Sequence, residues 1–372
     1  MRILFLCRER DLQREPLGYV RAFRRVGIEC GFVRNDCRLN ENIEQLMDRS
    51  QPRASLIIQP ELDFPLFPWG LDRVNVPTAC FHFDPYAYLH RRVRWAMLFD
   101  YAVIFHPGFE GAFQRAGHPN PVTIPHAVDA EFFAFPAIDR SLDIGWIGRS
   151  GRSHFRRRRR VLEMLATKFR MNEWERMHSY EELARVYCTS KLVVNVGRDD
   201  YPIDVSLRFA EAMAGGALFI TMLPSEINAL GFQAGVHFVG VQTEDEICEV
   251  ARYYLDHENQ RRQIAEAGRE KVLREHTYDC RAKELLRIVQ LNEGKLFSPA
   301  RHWPEERVRL VHLDFYAGNG RLDYARDEFA HIVRRNLRTA ASGGAILARG
   351  LASKTRSRIN FLLRQKWISG VL

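Results

Sequence analysis

The sequence predicts an α/β protein made of two successive open parallel sheets, each covered by helices on both faces, followed by a basic C-terminal tail. Three observations carry this. Short apolar runs alternate with amphipathic helical stretches along most of the chain, as in strands joined by crossover helices. A segment rich in proline and aromatic residues interrupts the alternation once, after which it restarts. A chain of 372 residues is too long for one compact core but suits two domains and an appendage.

"RILFLC" opens the chain as an apolar run suited to a buried strand. "PLGYVRAFRRVGIECGFV" reads as a helix ended near Gly27 and a second strand, and "ASLIIQ", "TACFHF" and "YAVIFH" as further strands. The interruption, Pro121 to Pro136, reads as a crossing between halves, with His126 and Asp129 helping to set it. Beyond it, "LDIGWIG", "KLVVNV" and "ALFIT" are strands, and "RRRRRVLEMLATKF" and the stretch from Ser206 to Ala214 are helices. From Thr243 to Gln290 the periodicity is helical, broken at Gly268 and at His276–Thr277. The expected divisions are 1–135, 136–299 and 300–372. Open α/β sheets bind ligands at the carboxyl ends of their strands, here facing a cleft between the halves.

Composition narrows the classes. The content is 46% hydrophobic and 11% aromatic, which is globular rather than disordered. Seven scattered cysteines show no Cys-x-x-Cys spacing, so neither a zinc knuckle nor a disulfide framework is indicated. The apolar stretch at the N-terminus is too short for a signal peptide and no run approaches a membrane span. The expectation is a reduced, cytoplasmic protein. The net charge of +9 is concentrated: residues 331–372 hold nine Lys or Arg and no acid, while the remaining chain balances at 46 of each sign. "TRSRINFLLRQKWISGVL" has apolar residues near helical spacing among its cations. It reads either as a helix packed on the body or as a basic amphipathic segment on an anionic membrane surface, at the inner face of the membrane.

Two segments carry candidate chemistry. In "SLRFAEAMAGGALFIT" the helix places Leu207, Phe209, Ala210, Met213 and Ala214 on one arc, with Arg208 and Glu211 about 60° apart on its border. They form either a solvated i,i+3 pair or a binding pair in which Glu211 accepts from ribose hydroxyls. In "DIGWIGRSGRSHF", strand, glycine-bearing turn and helix follow in order. There Gly148 and Gly151 open backbone amides to an anion, and Arg149 and Arg152 are placed to fork onto a diphosphate. Arg156 to Arg160 point all around a helix, so only one or two can face a common ligand. The run reads mainly as solvated basic surface.

"SLRFAEAMAGGALFIT" resembles the donor segment of glycosyltransferases of the GT-B fold. It is most similar to the CgeB-like spore maturation protein branch of glycosyltransferase group 1. The likeness continues through "GFQAGVHFVGVQTEDEICEV" and reaches back to "DIGWIGR", "IPHAVDAEFF" and "CFHFDPY", spanning roughly residues 1–290. It implies GT-B architecture: a Rossmann-like acceptor-side domain and a Rossmann-like nucleotide-sugar domain. The implied activity is metal-independent, retaining sugar transfer from a UDP- or GDP-linked donor to a glycan, lipid or protein acceptor, with no separate cofactor. Glu211 then matches the ribose-binding glutamate, with Gly148, Arg149, Arg152, Ser206 and Arg208 around the nucleotide. "FDP" is a mark of the N-terminal domain: His82 would touch the donor sugar and Asp84 would take a proton or orient the acceptor. The alternatives are a satisfied buried histidine and a turn-capping aspartate. Many retaining relatives carry an earlier glutamate where Ile203 stands here; Asp204, Asp200 and Asp199 are near but out of register. Other classes are a catalytically silent nucleotide-sugar binder, which Ile203 keeps open, and a nucleic-acid binder using the arginine run and the basic tail. The neutral body and the lack of interleaved aromatics disfavour nucleic acid.

Overall fold

The computed structural model describes residues 1–34, 36–49, 53–61, 66–133, 139–151, 153–335 and 339–352. The first half contains β1 (Arg2–Phe5), α1 (Arg14–Arg25), β2 (Glu29–Phe32), α2 (Ile43–Arg49), β3 (Leu56–Gln59), β4 (Thr78–His82), α3 (Leu89–Ala96), β5 (Tyr101–Ile104), α4 (Glu110–Arg115) and β6 (Pro121–Thr123). The second contains β7 (Leu142–Gly145), α5 (Arg156–Ala166), α6 (Tyr180–Thr189), β8 (Ser190–Asn195), α7 (Arg208–Ala214), β9 (Leu218–Met222), β10 (Val239–Val241), α8 (Glu244–Asp256) and α9 (Glu258–Glu275). Three further helices follow, α10 (Tyr278–Leu291), α11 (Glu305–Gly318) and α12 (Leu322–Arg335), and residues 339–352 are helical as well.

Both sheets are parallel throughout, in the orders β2-β1-β3-β4-β5-β6 and β10-β9-β8-β7. The strand runs are apolar because both faces are covered. Successive residues alternate between faces. Leu4 and Ile57 pack in one layer with Val308 and Phe315 of α11. Ile3, Phe5 and Ile58 pack in the other with Tyr19 and Phe23 of α1 and Tyr278 and Leu285 of α10.

This packing cuts across the divisions expected from sequence. Helix α10, expected with the second half, buries its apolar face in the first core. Val128 N donates to His276 O and Tyr278 N to Val128 O, so the outward and return crossings lie side by side. Helix α11, expected in a separate extension, covers the opposite face of the first sheet. Phe315 stacks on Phe67 at 3.9 Å, and the Tyr316 hydroxyl donates to Phe67 O at 2.8 Å. Gly268 does not break a helix: it lies inside α9, where a side chain would meet His237 O at 2.5 Å. The break falls at His257 instead, and the second at His276–Thr277 as expected.

Among the described residues, no helix is long and apolar enough to cross a membrane. The segment read as basic and amphipathic, 355–372, lies outside the described residues.

Candidate active site

A cleft of about 820 Å³ opens between the halves. Its walls come from the carboxyl ends of β1, β4, β7 and β8 and the starts of the helices that follow, where parallel sheets leave strand-end groups unpaired. Asp84, Gly148, Arg149, Ser206, Arg208 and Glu211 all line it. Arg152 lies outside the described residues.

Arg208 and Glu211 are both buried, at 7% and 1% exposure, and they do not pair with each other. Arg208 Nη1 donates to Asn195 Oδ1 at 2.6 Å and Nη2 to Ile147 O at 3.0 Å, with the guanidinium over the Trp146 ring. Glu211 Oε1 instead accepts from Arg14 Nη2 at 2.5 Å. Arg14 belongs to the opposite wall and holds φ +28, a left-handed conformation that is costly without a glycine. Ser206 is similar, at φ +33, with a buried hydroxyl that has no protein partner. Gly148 has φ +153, and a side chain there would come within 2.6 Å of Arg208 Nη2. The turn after β7 is therefore a glycine turn because the guanidinium fills its concave side. At the far end of α7, Gly216 (φ +72) lets the chain turn into β9.

The arginine run sorts itself around α5. Asp199 caps that helix, accepting from Arg156 N at 2.9 Å and Arg157 N at 3.2 Å. Arg157 and Arg160 pair with Glu244, and Arg159 with Glu163. Arg158 alone turns inward and lines the cleft. It is 4% exposed and donates to Val196 O at 2.8 Å and Arg149 O at 3.0 Å. Burial and the neighbouring Arg208 charge pull it down to about 9. Among the described residues neither Arg158 nor Arg208 has an ion-pair partner within 4 Å. Two buried like charges are costly, and the Asp204 carboxylate offsets part of the Arg158 charge. Sequence reasoning missed Arg158, yet the signal was present: it shares the helical stripe of Val161, Leu162 and Leu165, all buried.

On the facing wall Asp84 Oδ1 accepts from the Tyr86 hydroxyl at 2.7 Å, and Tyr86 stacks on Tyr201 of the second half. His82 is not at the cleft. Alternation along β4 sends it to the face opposite Phe81 and Phe83, where it is 3% exposed, 3.3 Å from Cys80 Sγ and packed on Phe113. Burial holds its imidazole neutral, with Arg92 and His118 adding to the effect. The sequence expectation that it touches a donor sugar is thus corrected. Of the carboxylates near Ile203, Asp200 pairs with Arg198 and Asp199 caps α5, leaving Asp204 lining the cleft. Burial raises the Asp204 carboxyl, opposed by His106 and Arg158.

Residues 152–287 match the family model described as glycosyl transferase-like. No curated protein matches the sequence. Several solved structures share the fold. Sucrose-phosphate synthase from Thermosynechococcus elongatus is 12% identical with a TM-score of 0.56, the match covering 78% of this chain and 98% of that one. HepE of Anabaena, solved in complex with UDP-glucose, is 12% identical with a TM-score of 0.53, over 78% of this chain and 100% of that one. A glycosyltransferase from Rickettsia africae is 9% identical with a TM-score of 0.51, over 79% and 99%. The fold is thus that of GT-B glycosyltransferase structures, and much of the second half matches a glycosyl transferase-like model.

Proposed function

We propose that the protein moves a sugar from a nucleoside-diphosphate donor, UDP- or GDP-linked, to a hydroxyl of a glycan, lipid or protein acceptor. The observation that carries this reading is the buried pair Arg158 and Arg208, neither in an ion pair within 4 Å among the described residues, beside the glycine turn at Gly148 and with Glu211 one turn further along α7. In this reading the diphosphate lies against Arg149, Arg158 and Arg208, and Glu211 receives the ribose hydroxyls. Fixed cations at the departing diphosphate stabilise the charge that grows as the anomeric bond breaks, so the arginines here do what a metal does elsewhere. UDP is the favoured nucleotide, since HepE of the same fold holds UDP-glucose. Asp84, exposed at the end of β4, orients the acceptor. Retention of configuration rests on the resemblance, with the departing phosphate taking the acceptor proton.

Release of nucleoside diphosphate from UDP-glucose, UDP-N-acetylglucosamine and GDP-mannose, with and without a mixed glycan acceptor, tests this reading. Turnover that falls at least tenfold in Arg158→Met supports it; equal turnover in that variant contradicts it. A second reading, binding without transfer, is favoured by Ile203 standing where retaining relatives carry a carboxylate. Tight donor binding without turnover under every acceptor supports it over the first.

A further inference from the structure

Behind the cleft four side chains from the two halves form one hydrogen-bonded chain, buried but for half-buried Tyr201. The Tyr201 hydroxyl donates to Glu226 Oε1 at 2.6 Å, and Gly108 N donates to the same oxygen at 3.3 Å. Glu226 Oε2 lies 2.6 Å from His106 Nδ1. His106 Nε2 lies 3.4 Å from His126 Nε2. His106, His126 and Glu226 are each less than one-tenth exposed. His126 alone of the three lines the cleft, and its Nδ1 is buried with no protein partner.

Hydrogen-bond direction along this chain is constrained. Glu226 Oε1 already takes two donors, so Oε2 accepts from His106 Nδ1–H. With His106 neutral, its Nε2 is a lone pair and His126 must donate through Nε2–H, leaving His126 Nδ1 as an acceptor. With His106 protonated, its Nε2–H donates instead, and the single proton of neutral His126 moves to Nδ1. The state of a residue behind the wall thus decides whether Nδ1 of a cleft-lining imidazole is an acceptor or a donor.

We infer that His126 Nδ1 is a contact for a sugar hydroxyl in the cleft, with His106, Glu226 and Tyr201 as the positioning residues that set its tautomer. The inference rests on the donor-site reading above for its ligand, but not for its tautomer logic. The surroundings agree. Burial works against protonation of His106, but Glu226, Asp204 and Asp84 outweigh it and leave its pKa raised. Tyr86 and Tyr201 flank its ring. His126 faces His106, Arg14 and Arg281, and burial with these charges holds it well below the ordinary imidazole value. It stays neutral while its neighbour titrates.

Long-range proton–nitrogen NMR of the full chain labelled in histidine, from pH 5 to 9, tests the inference without any ligand. The expected result is a neutral His126 whose protonated nitrogen passes from Nδ1 to Nε2 as His106 deprotonates, centred above the usual 6.5. In His106→Phe the exchange is lost, and in Glu226→Gln it moves to lower pH. If either variant fails to fold, Tyr201→Phe provides the same readout in milder form. A His126 that titrates itself, or keeps one tautomer throughout, overturns the inference. Ligand arms then locate the hydroxyl. A change at Nδ1 with UDP-glucose but not UDP assigns it to the donor sugar. A change with UDP plus free glucose, but not UDP-glucose, assigns it to the acceptor side. Indifference to both sugars in a sample that binds UDP overturns the contact. Failure to bind UDP at all tells against the donor-site reading instead, and leaves the tautomer result standing.

Discussion

Arg14 Nη2 donates to Glu211 Oε1 at 2.5 Å, joining α1 of one half to α7 of the other. The two residues are 197 positions apart. A carboxylate 1% exposed therefore has its charge partner on the opposite wall of the cleft. On the proposed reading, a ribose reaching Glu211 meets a site already held by a guanidinium that faces solvent on its other side. The lone acid among apolar residues is explained by what lies across from it.

Gly148→Ala separates site geometry from fold stability. The added methyl meets Arg208 Nη2 at 2.6 Å, so the guanidinium must move. The turn is at the surface of the second sheet, and the expected cost to folding is about 1–3 kcal/mol. The expected loss of UDP affinity is tenfold or more. Thermal shift with and without UDP checks both quantities on one sample.

The sequence made the strands and most helices legible because both faces of each sheet are covered, which leaves short apolar runs such as Leu56–Ile58 and Ala79–Phe81. The positions of Glu211, Arg208 and Gly148 at the cleft were legible because helix periodicity and a glycine turn mark them locally. Arg158 was legible in principle, by its place on the apolar stripe, but was hidden among four like neighbours. Arg14, His106 and Glu226 were not legible. Their roles depend on pairing across the two halves, and no local pattern encodes a partner more than 100 positions away. The seating of α10 in the first core escaped for the same reason: an amphipathic helix shows that it has a buried face, not which sheet covers it.

His312 predicts acid sensitivity. It lies fully buried between Trp69 and Phe67, neither ring nitrogen has a protein partner, and burial, with Arg309, pulls it down to about 3. Its folded value is below the unfolded one of 6.5, so the unfolded chain binds the extra proton first. Stability is then complete above pH 6.5 and lost as pH falls toward 3, by up to about 1.4 kcal/mol per pH unit. His312→Phe should flatten that part of the curve while leaving stability at pH 8 nearly unchanged. Urea midpoints of both proteins at pH 8 and pH 5 give the answer.

Phe315 tests whether the C-terminal helices are part of the body. It stacks on Phe67 at 3.9 Å and is 3% exposed. Phe315→Ala should cost about 3–5 kcal/mol, seen as a lower urea midpoint in a single transition. A separate early transition, with the main one unmoved, would mean that α11 and α12 unfold on their own.

Calorimetric titration of wild type and Glu211→Ala with UDP, UDP-glucose, GDP and GDP-mannose bears most directly on the nucleotide grip. The wild type should bind at least one of these four, and the variant should bind the same ligand at least tenfold more weakly, a loss of about 1.4 kcal/mol or more. No heat from any of the four with folded wild type, or equal affinity in a folded variant, would contradict the account.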